Sequence, residues 1–255
     1  SCTRKVEYYK SEFNLVLKKI PSENLKKFAL ACLGSKDLIT EDLDLFGEIA
    51  PLHVAAHYGD LLLFKYILKK SHNKNPKDKL GATPYHFAAG YNKLEISKFY
   101  IENTKNKKLP KTYDGHTPLH DAADDGHFDV FKLIFHHARD KNPRRNHGRT
   151  PLHHAAVANH LEICKLIVLE VEDKNPEDET GDTPLHNAAR NGYSELYKFI
   201  AERVEVKNPL DNQGRTPLHK AIDRGHLHIC RILLDILGIE NPTLAEPKAK
   251  CFFKE

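Results

Sequence analysis

The chain of 255 residues contains no methionine, not even a first one, and no tryptophan. It is read as a piece excised from a longer protein, so the lack of a leader says nothing about the parent. No run approaches 18 consecutive apolar residues, which excludes a membrane-spanning helix and argues against membrane insertion. Cysteine is scarce and badly placed for bridging. Cys2, Cys32, Cys164, Cys230 and Cys251 are odd in number and form no C-x-x-C pair, unlike a secreted disulfide framework. No N-x-[ST] glycosylation site occurs, because Asn241-Pro242-Thr243 carries the forbidden proline. These gaps together point to a reducing, intracellular and expectedly cytoplasmic setting. One-signed charge is lacking too. A net +4 on 39 basic and 35 acidic side chains is too small an imbalance for a nucleic-acid-binding face.

What the chain does have is a period. Ala50-Pro51-Leu52-His53, Thr83-Pro84-Tyr85-His86, Thr117-Pro118-Leu119-His120, Thr150-Pro151-Leu152-His153, Thr183-Pro184-Leu185-His186 and Thr216-Pro217-Leu218-His219 match one another. Their prolines are 33, 34, 33, 33 and 33 residues apart, and Pro76, Pro110, Pro143, Pro176, Pro209 and Pro242 keep step. The one extra residue falls between Pro84 and Pro110, in the lysine- and asparagine-rich stretch Glu102–Leu109.

Each unit reads physically. The threonine stands where a helix needs an N-cap hydroxyl, and proline follows at the first helical position, where its missing N–H costs nothing. Small residues such as Ala155-Ala156 let a neighbouring helix approach closely. Gly59, Gly126, Gly192 and Gly225 end that first helix; in the second and fourth units Asn92 and Asn159 stand there instead. A second helix shows apolar spacing (Leu161, Ile163, Cys164, Leu166, Ile167). An Asn-Pro, a few charged residues and a glycine (Gly81, Gly115, Gly148, Gly181 or Gly214) make the connecting turn.

Six in-phase T-P-L-H motifs resemble the ankyrin repeat over residues 47–242. The resemblance implies an all-α solenoid of stacked helix–turn–helix units with β-turn fingers. It implies binding of a protein or peptide partner through the fingers and the concave face of the first helices. The first repeat departs from the pattern: Glu48-Ile49-Ala50 replaces G-x-T, with Gly47 one place early, so its finger is expected to be irregular. Residues 1–46 lack the motif. Val6, Tyr9, Phe13, Leu17 and Ile20 predict one amphipathic helix, and Leu25, Phe28, Ala29, Cys32 and Leu33 another, as an N-terminal helical cap. Residues 243–255 are read as a C-terminal cap or linker, and the array as monomeric.

Candidate chemistry is sparse. Nine of the seventeen histidines recur at fixed repeat positions, six in T-P-L-H and three (His127, His160, His226) before a second helix, which reports packing before catalysis. The pairs His136-His137 and His153-His154 lack the i, i+4 spacing of a zinc helix, so no metal is expected. Cys164 and Cys230 occupy equivalent helix positions two repeats apart, about 20 Å by helix spacing and beyond the about 7 Å that a disulfide bridges. No phosphate loop, dinucleotide loop or nucleophile elbow is present, so no catalytic residue and no cofactor are assigned.

The exposed face remains. By repeat position it carries Val54, His57, Tyr58; Phe87, Gly90, Tyr91; Asp121, Asp124, Asp125; His154, Val157, Ala158; Asn187, Arg190, Asn191; and Lys220, Asp223, Arg224. The fingers add Lys77, Lys79, Lys111, Tyr113, Arg144, Arg145 and Arg149, with Glu177, Asp178, Glu179 and Asp182 in the fifth repeat. The candidate partner-binding residues are Tyr58, Phe87, Tyr91, Tyr113, Asp121, Asp124, Asp125, Arg149, Arg190 and Arg224. A segment with an apolar anchor followed by basic residues would suit Phe87, Tyr91 and the aspartates. Against this, most such charges merely keep a thin slab soluble. The leading expectation is a non-enzymatic protein-interaction scaffold. The alternative is a cytosolic targeting or regulatory arm of a larger enzyme or channel whose activity lies outside these residues. Nucleic-acid binding through the basic fingers is the weakest of the three.

Overall fold

A computed structural model describes residues 50–71, 73–103 and 108–238. The expected caps at 1–46 and 243–255, the first finger, and part of the inserted stretch lie outside the described residues. The chain divides into two compact units at Lys105/Asn106. Twelve α-helices and one 3-10 turn, with no strand, make up the described residues.

The first unit holds α1 (Pro51–Tyr58), α2 (Leu61–Lys70), α3 (Pro84–Gly90) and α4 (Leu94–Asn103). In it α1 packs on α2 and α3, α3 on α4, and α2 on α4. The second unit holds α5 (Pro118–Asp124), α6 (Phe128–His137), α7 (Pro151–Val157), α8 (Leu161–Glu170), α9 (Pro184–Asn191), α10 (Ser194–Ala201), α11 (Pro217–Asp223) and α12 (Leu227–Leu237). There each first helix stacks on the next (α5 on α7, α7 on α9, α9 on α11) and each second helix likewise (α6, α8, α10, α12).

Helices of seven to eleven residues are marginal alone, so stacking must hold them. Ala122-Ala123, Ala155-Ala156 and Ala188-Ala189 are fully buried, and their lack of bulk lets successive first helices close up. The second helices bury adjacent pairs one turn apart: Val130, Phe131, Ile134 and Phe135; Ile163, Cys164, Ile167 and Val168; Leu196, Tyr197, Ile200 and Ala201. The Tyr197 hydroxyl, buried among them, donates to the Lys207 carbonyl at 2.9 Å. Burial pushes the Cys164 and Cys230 thiols up, so both behave as small packing groups.

The T-P-L-H motif works differently from the expected simple cap. Each threonine is the N-cap residue, with extended backbone. Its hydroxyl, however, lies 2.8–3.1 Å from the Nδ1 of the motif histidine, which also accepts the threonine N–H. Only Thr216 also accepts from the third helical amide, at 3.4 Å. The buried imidazole then donates from Nε2 to the next repeat: His53 to Ala82 O (2.9 Å), His120 to Arg149 O (3.3 Å), His153 to Asp182 O (3.1 Å) and His186 to Arg215 O (3.1 Å). These partners assign the Nε2–H tautomer. The asparagine of Asn-Pro adds a cap of its own. Asn142, Asn175 and Asn208 accept the orphan amides of Leu152, Leu185 and Leu218 at 3.1–3.3 Å.

A second staple runs backwards. His160 Nε2 donates to Asp124 O (3.0 Å) and His226 Nε2 to Arg190 O (3.1 Å), the ends of the preceding first helices. A Cβ on Gly126 would stand 2.3 Å from the His160 ring, so glycine is required there twice over, for positive φ and for space. Asn92 and Asn159, the two substitutes at this position, both adopt the left-handed region (φ 56° and 60°), which asparagine tolerates better than other side chains.

Candidate functional site

The first helices bury their first two turns and open only at the C-terminal end. At the last residue before the glycine or asparagine turn stand Tyr58, Tyr91, Asp125, Ala158, Asn191 and Arg224. Six equivalent backbone positions thus carry five different chemistries, while the alanines buried beside them hardly vary.

In the first unit the aromatic candidates do come together. Tyr58 is 48% and Tyr91 50% exposed. His57 lies between them, its ring 4.9 Å from Tyr58 and 4.0 Å from Tyr91, both edge-on. Phe87 completes the group, 6.3 Å from Tyr91 and 5.0 Å from His53. Burial and the Lys93 ammonium hold His57 below the usual imidazole range, so the patch is uncharged at neutral pH.

The acidic candidates belong to the second unit and are described within it. Asp121 and Asp124 face imidazoles. His116 Nε2 lies 3.1 Å from Asp121 Oδ1, and His154 Nδ1 lies 3.1 Å from Asp124 Oδ1. The His116, His120 and His154 rings sit 4.8–5.4 Å apart, with His154 edge-on to the other two. Arg145 donates to His116 Nδ1 (3.4 Å) and pairs with Asp114 (3.5 Å). The His154 hydrogen bond keeps the Asp124 carboxyl below its usual range. Burial, helped by the Asp124 and Asp121 charges, holds Asp125 above it. Burial pushes His120 down to about 2, aided by the neighbouring imidazoles. Asp121 Oδ2, His154 Nε2 and Arg145 Nε are buried without a hydrogen-bond partner among the described residues.

Several predicted site residues turn out to be occupied by the fold. Arg149 pairs with the buried carboxylate of Asp178 (3.4 Å). Arg190 binds Asp182, and Asp182 also meets Lys220 at 2.9 Å. Lys220 is only 3% exposed and reaches Asp211 as well, at 2.7 Å, beside Arg215. Burial alone would raise Asp182 and Asp211; the Arg190 and Lys220 charges on the first, and Lys220 with two turn amides on the second, pull both below the usual range. The fifth finger was read as offering Asp178 and Asp182 to a partner, yet both are buried. Asp178 instead accepts the Thr180 and Asp182 amides (2.9 and 3.1 Å), as Asp211 accepts those of Gln213 and Arg215 (2.9 and 2.8 Å). Tyr113, at 69%, and Arg224 stay exposed.

Reading the candidate face helix by helix misses His116, while Arg145, named among the finger residues, joins the same cluster. His116, between the finger glycine and Thr117, lies against Asp121, the residue after the motif histidine. Reading those two positions together would have found the cluster.

Stacked helix pairs with turn fingers, tied by histidine staples, define a helical repeat solenoid. The family model for ankyrin repeats matches residues 52–145 and 164–243, and a single-repeat model matches 147–178. The chain belongs to the ankyrin-repeat family. An ankyrin repeat domain from Acinetobacter baumannii, solved by crystallography, is similar in structure, with TM-score 0.64 and 26% identity over 73% of this chain and 97% of that one. Human ankyrin repeat and SOCS box protein 3 is 30% identical over 91 residues, 35% of this chain and 18% of that protein. Human SMC5-SMC6 complex localization factor protein 1 is 36% identical over 64 residues, 25% of this chain and 6% of that protein. The Drosophila melanogaster tyrosine-protein kinase Shark is 27% identical over 121 residues, 47% of this chain and 13% of the kinase. The chain therefore spans 18% or less of the length of these relatives. Ankyrin repeats generally mediate protein–protein interaction, and the fold is typically a non-catalytic scaffold. No helix among the described residues is long and apolar enough to cross a membrane.

Proposed function

We propose that this chain is a protein-recognition module that holds its partner on the open ends of its first helices and on its fingers. One observation carries the reading: the position that closes each first helix is open to solvent and takes five different residues in six repeats. Tyr58, Tyr91, Asp125, Ala158, Asn191 and Arg224 occupy one repeat position. The alanines buried beside it keep one chemistry, because only small residues let successive first helices close up. A position serving recognition takes whatever the partner presents at that step. Half-exposed tyrosines are also the side chains that supply contact area at low entropic cost.

The test is a comparison of partners captured by the unaltered chain and by two full-length variants, Tyr58→Ser/Tyr91→Ser and Asp124→Asn/Asp125→Asn. All four positions are exposed, so both variants should fold. A specific partner should be lost, or weakened several-fold, with at least one of them. A partner kept equally by both would show that these helix ends are not the binding face.

A further inference from the structure

We propose that Asp121, Asp124, Asp125 and His154 form a seat for one arginine side chain of the partner, an inference that rests on the recognition reading above. The hydrogen-bond inventory of the cluster points to the ligand. Because Asp124 accepts from His154 Nδ1, Nδ1 carries a proton, and in the neutral ring Nε2 is a lone-pair acceptor. That acceptor is buried and unpartnered in a side chain only 9% exposed. Asp121 uses Oδ1 for His116 and leaves Oδ2 buried and unpartnered too. Two orphan acceptors in one cluster are costly to leave empty.

Charge gives the same answer. Asp114, Asp121, Asp124 and Asp125 bring four carboxylates, and among the described residues Arg145 is the guanidinium placed with them. Arg145 is bound to Asp114 and His116, and its own orphan is a donor, Nε. On the far side Arg190 is engaged by Asp182. A ligand that satisfies acceptors while bringing positive charge is a cation rich in N–H groups. Guanidinium has five donors in a planar fork, which suits acceptors spread over a carboxylate and an imidazole better than a compact ammonium. Asp124, with its side chain 55% exposed, and exposed Asp125 would receive the incoming charge at the rim.

The experiment uses the full chain, isotope-labelled, and three capped tripeptides, Gly-Arg-Gly, Gly-citrulline-Gly and Gly-Lys-Gly. Proton–nitrogen NMR reads the His154 ring and the backbone amides. The arginine peptide should shift the His154 ring and the 121–125 amides saturably; the citrulline peptide should not. Asp124→Asn should weaken the arginine response roughly tenfold, the scale of a hydrogen bond to a charged group. Equal shifts with citrulline or lysine, equal shifts at Glu177 and Glu179, or an unchanged response in Asp124→Asn would each overturn the assignment. If a captured partner is lost with the helix-end variants while no peptide moves His154, the recognition reading stands and the arginine seat falls.

Discussion

His153 Nε2 lies 3.1 Å from the carbonyl oxygen of Asp182, 29 residues further along the chain. The same imidazole accepts the Thr150 N–H and contacts the Thr150 hydroxyl, so one buried side chain closes its own helix and holds the next finger. His219, in the last described repeat, has the local bonds to Thr216 but no such forward partner among the described residues. Replacing His153 by alanine should therefore cost about 2–4 kcal/mol, from lost bonds plus stranded buried amide and carbonyl groups. His219→Ala should cost clearly less. Urea unfolding of the two variants checks this, and equal losses would mean the inter-repeat bond adds nothing.

The staples also make the fold acid-sensitive. Burial holds His53, His120, His153 and His186 below the usual imidazole range, His153 at about 4 and His120 at about 2. Such histidines bind protons more readily unfolded than folded. Their stabilising contribution is complete above about pH 6.5 and is lost as pH falls towards the folded values. At pH 5 each of His120 and His153 should have given up roughly 2 kcal/mol. Asp182 and Asp211, held low by their cations, lose theirs in the same direction below about pH 4. The thermal midpoint should be flat from pH 8 to 7 and drop several degrees by pH 5. A midpoint unchanged at pH 5 would contradict the burial argument.

Finger contact is measurable at two glycines of similar φ. Gly181 (φ 77°) would place a Cβ 2.6 Å from the Asn212 backbone nitrogen, which itself donates to Thr180 O at 3.0 Å. Gly214 (φ 71°) has nothing within 4 Å among the described residues. Gly214→Ala should cost only the left-handed penalty, about 1–2 kcal/mol. Gly181→Ala must in addition push one finger off the next, at a further cost of about 1–3 kcal/mol. Thermal denaturation of the pair decides it, and equal losses would show that the fingers do not press on one another.

The period, the helix pairs and the buried alanines were legible because each repeat states the same local chemistry six times. Asn92 and Asn159 align with the glycine turn by sequence position, and both are left-handed. The binding candidates were less legible, because alignment gives position along a helix but not what faces it. Arg190 and Arg149 read as partner-binding cations, yet Asp182 of the same repeat's finger and Asp178 of the next finger engage them. Lys220 read as exposed and is buried for the same reason. Tyr58 and Tyr91 stay about half exposed, since their rings draw no counter-charge from a finger.

The first repeat lacks one component of the motif, which allows it to be restored. Ala50 offers its N–H to His53 Nδ1 at 3.2 Å, as the threonines do, but has no hydroxyl to place beside the ring. In the other five repeats that hydroxyl stands 2.8–3.1 Å from Nδ1. Thr150→Ala should cost about 1 kcal/mol, since the Thr150 side chain is buried and its bond is lost. Ala50→Thr should do the reverse, adding about 0.5–1 kcal/mol to the first unit, because the Ala50 backbone is already extended (φ −69°, ψ 154°). Amide exchange across Pro51–Tyr58 is the sensitive readout, since a weak terminal repeat opens before the whole array does. Protection of these amides should rise several-fold in Ala50→Thr while that of α7 and α9 stays constant. If protection at α1 already equals that at α7 in the unaltered chain, the missing hydroxyl is not a weak point.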